Sequence, residues 1–121
     1  MSMMDCFEIL NRAITGTTAE FTDPIFNERL ARGEKAFFAM RLMQTAGTGS
    51  PSITVKLQRS NDNLNWNDKA TIYSTLSFAN VMNYAQDTGS NVGGCYARLS
   101  IQLAGTDPSA QVQIIVTIRE D

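Results

Sequence analysis

Two stretches near the C-terminal end alternate apolar and polar residues with period two: Cys95, Ala97, Leu99, Ile101 and Leu103, then Val112, Ile114, Val116 and Ile118. Side chains along a strand point alternately to its two faces, so each stretch reads as a strand with one buried face. Between them Ala104 to Ala110 carries Gly105, Asp107 and Pro108, residues that favour turns. The pattern predicts an antiparallel β-hairpin. Its polar positions carry no catalytic constellation, so it describes a scaffold.

The same reading extends upstream. Ile53, Val55 and Leu57 alternate with Thr54, Lys56 and Gln58, which predicts a half-buried strand. In Lys35 to Thr45, Phe38, Met40 and Leu42 take one face and Phe37, Ala39, Arg41 and Met43 the other. With both faces largely apolar, this is expected to be a central strand packed on each side, or one covered by a neighbouring subunit. Ala46 to Pro51, glycine-rich, reads as a turn. Ser60 to Asp68 is dense in Asn and Asp, whose side chains bond nearby backbone, and reads as a structured loop with Leu64 and Trp66 pointing inward. Lys69 to Tyr73 and Leu76 to Met82 are short strand candidates, and Gln86 to Gly94 a flexible connection.

The N-terminal part is less regular. Asp5 to Leu10 is mixed in period and is assigned a strand. Gly16 to Asp23 is threonine-rich and ends at Pro24, which excludes a regular helix and suggests an extended arm or edge strand anchored by Phe21, Ile25 and Phe26. Asn27 to Glu34, interrupted by Gly33, reads as a loop. Roughly seven short strands separated by glycine and asparagine turns predict an all-β fold, an antiparallel β-sandwich or jelly roll over residues 35–121 with an irregular N-terminal arm over 1–34.

Composition narrows the function classes. The chain has 121 residues, a size that forms one domain with a substantial core. Ten basic and twelve acidic residues spread along it give a net charge of −2 and no basic stripe for a phosphate backbone, so nucleic acid is not an expected partner. No apolar run reaches the roughly 20 residues that span a bilayer, so no membrane partner is expected either. Cys6 and Cys95 are read as reduced, buried thiols; a disulfide between them requires that their strands be neighbours under oxidising conditions.

The absence of histidine removes Ser-His-Asp and Cys-His catalysis and the commonest transition-metal ligand. Glu8, Glu20, Glu28, Asp62 and Asp68 offer carboxylates, but no spacing forces a pair together as a glycosidase needs. No phosphate-binding glycine motif occurs. The Asn61 to Asp68 loop has oxygen ligands at alternate positions but lacks the glycine and closing glutamate of a calcium loop, and reads as a hydrogen-bonded turn. No enzyme activity, cofactor or metal is expected. Trp66, stacked with Tyr73, Tyr84 or Tyr96, is the candidate for an alternative reading as a carbohydrate-binding or adhesion module.

Val55 to Asp68, in which Gln58, Ser60, Asp62 and Trp66 are spaced as a strand end, a tight turn and a tryptophan, resembles a signature of phage and prophage-like virion β-sandwich proteins. Cys95-Tyr96-Ala97-Arg98-Leu99 is similar to the aromatic-x-Arg-Leu strand that follows in such proteins, and Val112 to Val116 fits their closing strand. The likeness covers Ser52 to Arg119, with Asn63 where a glycine is common. It implies a structural protein of a particle, a capsid decoration or cement component assembled in a host cytoplasm and resident in the virion, acting as a homo-oligomer on a shell protein. On that reading the candidate interaction residues are Phe21, Phe26, Phe37, Met43 and Trp66.

Overall fold

The computed structural model describes residues 5–26, 32–78, 83–85, 90–92 and 96–119. Among them are eight strands and no α-helix: β1 (Asp5–Thr15), β2 (Glu20–Phe21), β3 (Ile25–Phe26), β4 (Lys35–Ser60), β5 (Asn67–Ser77), β6 (Asn83–Ala85), β7 (Ser90–Asn91) and β8 (Tyr96–Arg119). All pairings are antiparallel and belong to one sheet. The all-β antiparallel expectation is thus met, but the pairing is that of one bent sheet and not of two separate ones.

The largest departure from the sequence reading concerns the glycine segments. Residues 96–119 are a single strand of 24 residues, and 35–60 a single strand of 26. Neither 104–110 nor 46–51 is a turn between strands. The two strands run antiparallel along their whole length, from Lys35 opposite Arg119 to Ser60 opposite Tyr96, and the two glycine segments lie opposite each other. Register shifts fall between Met43 and Ala46, Ala46 and Thr48, and Thr48 and Ser52. Such bulges bend a ribbon and sharpen its twist without ending it.

Two glycines in this corner are set by close approach. A Cβ on Gly47 would lie 2.9 Å from the Cα of Pro108, and one on Gly105 would lie 3.0 Å from the Cα of Pro51 and 3.0 Å from the Thr48 carbonyl oxygen. Both also have strongly positive φ, 129° and 120°, where a side chain is strained. Gly and Pro therefore mark the place where two backbones cross closely.

The bend gives the ribbon two halves whose inward faces share one core. Ala36, Phe38, Met40, Leu42, Val112, Ile114, Val116 and Ile118 from the first half join Ile53, Val55, Leu57, Leu99, Ile101 and Leu103 from the second in a single buried cluster. Tyr73 on β5 is buried in it and donates its hydroxyl to the Phe38 carbonyl across the core at 3.0 Å. Each fully buried aliphatic or aromatic side chain contributes about 1.5–3 kcal/mol relative to exposure.

The flanking strands take the ribbon's two edges. β1, β2 and β3 line the outer edge of β8, and β5, β6 and β7 that of β4. The N-terminal segment is therefore an edge of this same sheet, and its first part is a regular strand of 11 residues with Leu10 and Ile14 in the core. After Thr15 the chain crosses to the second half. Gly16 N–H bonds the Pro108 carbonyl at 3.0 Å, Thr22 N–H bonds the Leu99 carbonyl at 3.0 Å, and the buried Thr22 hydroxyl accepts from Leu99 N–H at 2.9 Å. The Arg12 guanidinium spans the gap to Glu20 at 3.2 Å and to the Phe21 carbonyl at 3.4 Å. β7 pairs with the start of β4 and is followed by buried Val92. Cys6 is a free, exposed thiol on the outer face of β1, not a buried one, because position 6 pairs with Thr117 out of phase with the core. Cys95, and residues 79–82, 86–89 and 93–94 of the predicted strand and connection, lie outside the described residues.

The corner geometry predicts that Gly47→Ala destabilises by about 1–3 kcal/mol, from backbone strain plus overpacking. Gly16→Ala, also at positive φ but with nothing within 4 Å, is expected to cost less, as compared by urea denaturation of both variants. Equal losses would mean that the close crossing at Pro108 carries no energetic weight.

Candidate interaction site

On the outward face of the second half, polar residues form a row across three adjacent strands. Arg98 on β8 stands opposite Gln58 on β4, which stands opposite Asp68 on β5. Arg98 Nε donates to Gln58 Oε1 at 2.7 Å, and Gln58 Nε2 donates to Asp68 Oδ1 at 2.9 Å. Lys56 Nζ lies 4.0 Å from the other Asp68 oxygen. The amide of Gln58 is thereby oriented from both ends.

Two aromatic rings close on the same guanidinium. The Arg98 Cζ lies 4.1 Å from the Phe21 ring centroid and 4.4 Å from that of Trp66. Phe21 comes from β2 on one side of β8, and Trp66 from the loop into β5 on the other side. The cation therefore ties the N-terminal edge to the loop, by the attraction of a planar cation for ring faces. Partial burial pulls the Arg98 guanidinium below its ordinary pKa, since desolvation disfavours its charge.

The loop before Trp66 is organised by two side chains. The Ser60 hydroxyl, buried, accepts from Asp62 N–H at 3.2 Å and Asn63 N–H at 2.9 Å and donates to Asp62 Oδ1 at 2.8 Å. Asp62 Oδ1 then accepts from Leu64 and Asn65 N–H, both at 2.9 Å, and Oδ2 from Asn65 Nδ2 at 2.8 Å. Asn63 sits at φ 60°, a conformation asparagine tolerates. These donors, led by the Asn65 and Leu64 backbone, hold the Asp62 carboxyl well below the usual aspartate range. Both Asp62 oxygens are thus turned onto the chain's own N–H groups, and the segment is a hydrogen-bonded turn.

The predicted site residues separate into two places. Phe21, 41% exposed, and half-buried Trp66 meet at Arg98. Phe37 and Met43 lie on the outward face of the other half, far along β4. Phe37 is only 6% exposed, with the Arg119 guanidinium 4.1 Å over its ring, so it is covered by its own chain and offers no contact surface. Phe26 pairs through its backbone with Tyr96; its side chain lies outside the described residues. Leu64 is 81% exposed and Trp66 is half-buried on the outward face against Arg98, so neither is the inward anchor expected of it. The loop is ordered by the Ser60 and Asp62 hydrogen bonds and by Trp66 on Arg98, without an apolar anchor in the core. Tyr73 is in the core, so it forms no stacking platform with Trp66. Arg98 and Gln58 hold the site together without standing out as site residues in the sequence. Their signal was present as polar side chains at outward positions between core residues.

The arrangement is an ordered aromatic and hydrogen-bonding surface. Among the described residues no group of three or more His, Cys, Asp or Glu side chains could hold a metal ion. No family model matches the chain, and no curated protein matches its sequence.

The Asp62 geometry gives a pH prediction with a definite sign. The folded pKa lies below the unfolded one, so the stabilisation is complete above the unfolded aspartate pKa of about 4 and is lost as pH falls through the folded value. In urea denaturation from pH 7 to pH 2, wild type is expected to exceed Asp62→Asn by a constant margin near neutrality, narrowing below about pH 4. A margin unchanged at pH 2 would show that the carboxylate charge does not hold the loop.

Proposed function

We propose that this chain is a non-enzymatic structural protein of a phage or phage-like particle, which stabilises or decorates a shell through oligomeric β contacts. One observation carries the reading. The two sequence segments that resemble virion β proteins meet in space, because Arg98 of Tyr96-Ala97-Arg98-Leu99 bonds Gln58 and stacks on Trp66 of the Gln58 to Trp66 segment. The spacing that carries the resemblance thus has a common physical purpose in this chain, locking a loop and an N-terminal edge onto a rigid ribbon. Such a unit presents a fixed outer surface at no ordering cost to a partner.

On this reading the chain assembles with copies of itself on a shell protein in a host cytoplasm and resides in the virion. Phe21 and Leu64 supply exposed apolar side chains beside the clamp. On the other half, Ala39, Met43 and Ile115 are half-buried outward positions.

Size exclusion with light scattering, with the peak imaged by electron microscopy, is expected to give a multiple of the chain mass as a trimer, ring or filament. Phe21→Ala is expected to shift it toward the single chain. A wild-type protein that stays monomeric alone and in the presence of isolated shells would overturn the reading.

A further inference from the structure

We propose that Arg98 is a receptor for a carboxylate of a partner polypeptide, presented by the guanidinium that Phe21 and Trp66 enclose. The argument starts from its donors. A guanidinium has five N–H groups and no acceptor. Nε is committed to Gln58, and among the described residues no carboxylate pairs with Arg98 and nothing accepts from its Nη atoms. The end-on Nη1/Nη2 pair is therefore left as a fork, and that fork matches the two oxygens of a carboxylate.

Three contacts fix where the fork points. Phe21 and Trp66 hold the plane, and Gln58, itself held by Asp68, fixes rotation within it. The side chain has lost its rotamer freedom on folding, so a ligand does not have to order it again. The flanking rings displace water and strengthen the charge interaction. Desolvation lowers the Arg98 pKa, as expected for a cation enclosed without a counter-charge.

The ligand class follows from the local charge. Lys56, the neighbouring cation, already faces Asp68, so one net positive charge remains, suited to a monoanion and not to a dianionic phosphate. An acidic sugar stacked on the outer ring faces is the competing ligand, which the titration below separates from a polypeptide. Exposed Phe21 provides an apolar flank for the residues beside the acid, which favours a polypeptide. The identity of the partner rests on the assembly reading; the carboxylate site itself does not.

Trp66 is the sole tryptophan and reports directly. Its fluorescence is to be followed at low salt during titration with octaglutamate, octaglutamine and oligogalacturonate. Octaglutamate is expected to give a saturable change and octaglutamine none. Arg98→Lys, which keeps the charge and loses the fork, is expected to weaken binding about tenfold or more. Gln58→Ala, which frees Nε, is expected to weaken it by a smaller factor, with circular dichroism and urea midpoints verifying that both variants fold. Binding unchanged in both folded variants, an equal response to octaglutamine, or a response to oligogalacturonate alone would overturn the proposal. Light scattering on the same samples separates the two readings. An oligomer that ignores octaglutamate overturns only the carboxylate site, and a chain that binds octaglutamate but stays monomeric with and without shells overturns only the assembly reading.

Discussion

Everything in this fold depends on the uninterrupted pairing of β4 with β8. Two strands of 26 and 24 residues are far longer than the usual five or six, and a flat ribbon of that length would expose both faces. The facing bulges at 44–51 and 104–109 resolve this. They fold the ribbon so that its own two halves cover each other, and one run of hydrogen bonds provides both walls of the core. The remaining strands then need only short pairings. β2, β3, β6 and β7 have two or three residues each, docked where the ribbon already supplies an edge.

The same constraint explains why the aromatic clamp sits where it does. Bending commits every inward position of both halves to the core, so segments that must be held from outside are held by outward side chains. The N-terminal crossing and the loop before β5 arrive from opposite edges of the ribbon, and Arg98 stands between them. A lysine there could supply charge but could not lie flat against two rings while bonding Gln58 through a fixed N–H. The clamp thus joins sequence-distant segments in a way that pairing alone does not.

How far the sequence discloses this architecture can be judged from particular residues. The alternation at 97, 99, 101 and 103, at 112, 114, 116 and 118, and at 53, 55 and 57 is a local property of a strand, and the predicted inward residues are the buried ones. Connectivity is not local. Gly105 and Pro108, like Gly47 and Pro51, have the composition of a hairpin turn. They act as bulges because each segment lies opposite the other. The overlooked signal is that two glycine segments, each flanked by alternating stretches of similar length, can face one another. The clamp was half legible. Trp66 and Phe21 stood out as large apolar residues in polar surroundings, whereas Arg98 is recognisable only once the neighbours of β8 are known. Leu64 was misread because an apolar residue in a loop suggests an anchor, and nothing local reveals that Ser60 and Asp62 already satisfy the loop's backbone.

The ends of the strand order show how this fold finishes its sheet edges. β1 and β5 close the sequence β1-β8-β4-β5, and a long, flat edge strand invites edge-to-edge pairing. β1 is not flat. Its register shifts between Glu8 and Leu10, and Arg12, opposite core residue Val112, carries a charge on the inward side. β5 follows β4 through three register irregularities between Ile53 and Gln58, and its first part carries Asp68 and Lys69. Bulges and inward charges are devices that keep strand edges from extending a sheet. If the chain assembles as proposed, its contacts fall to the outward faces, where the side chains are fixed by the ribbon beneath them, as Arg98 is between Phe21 and Trp66.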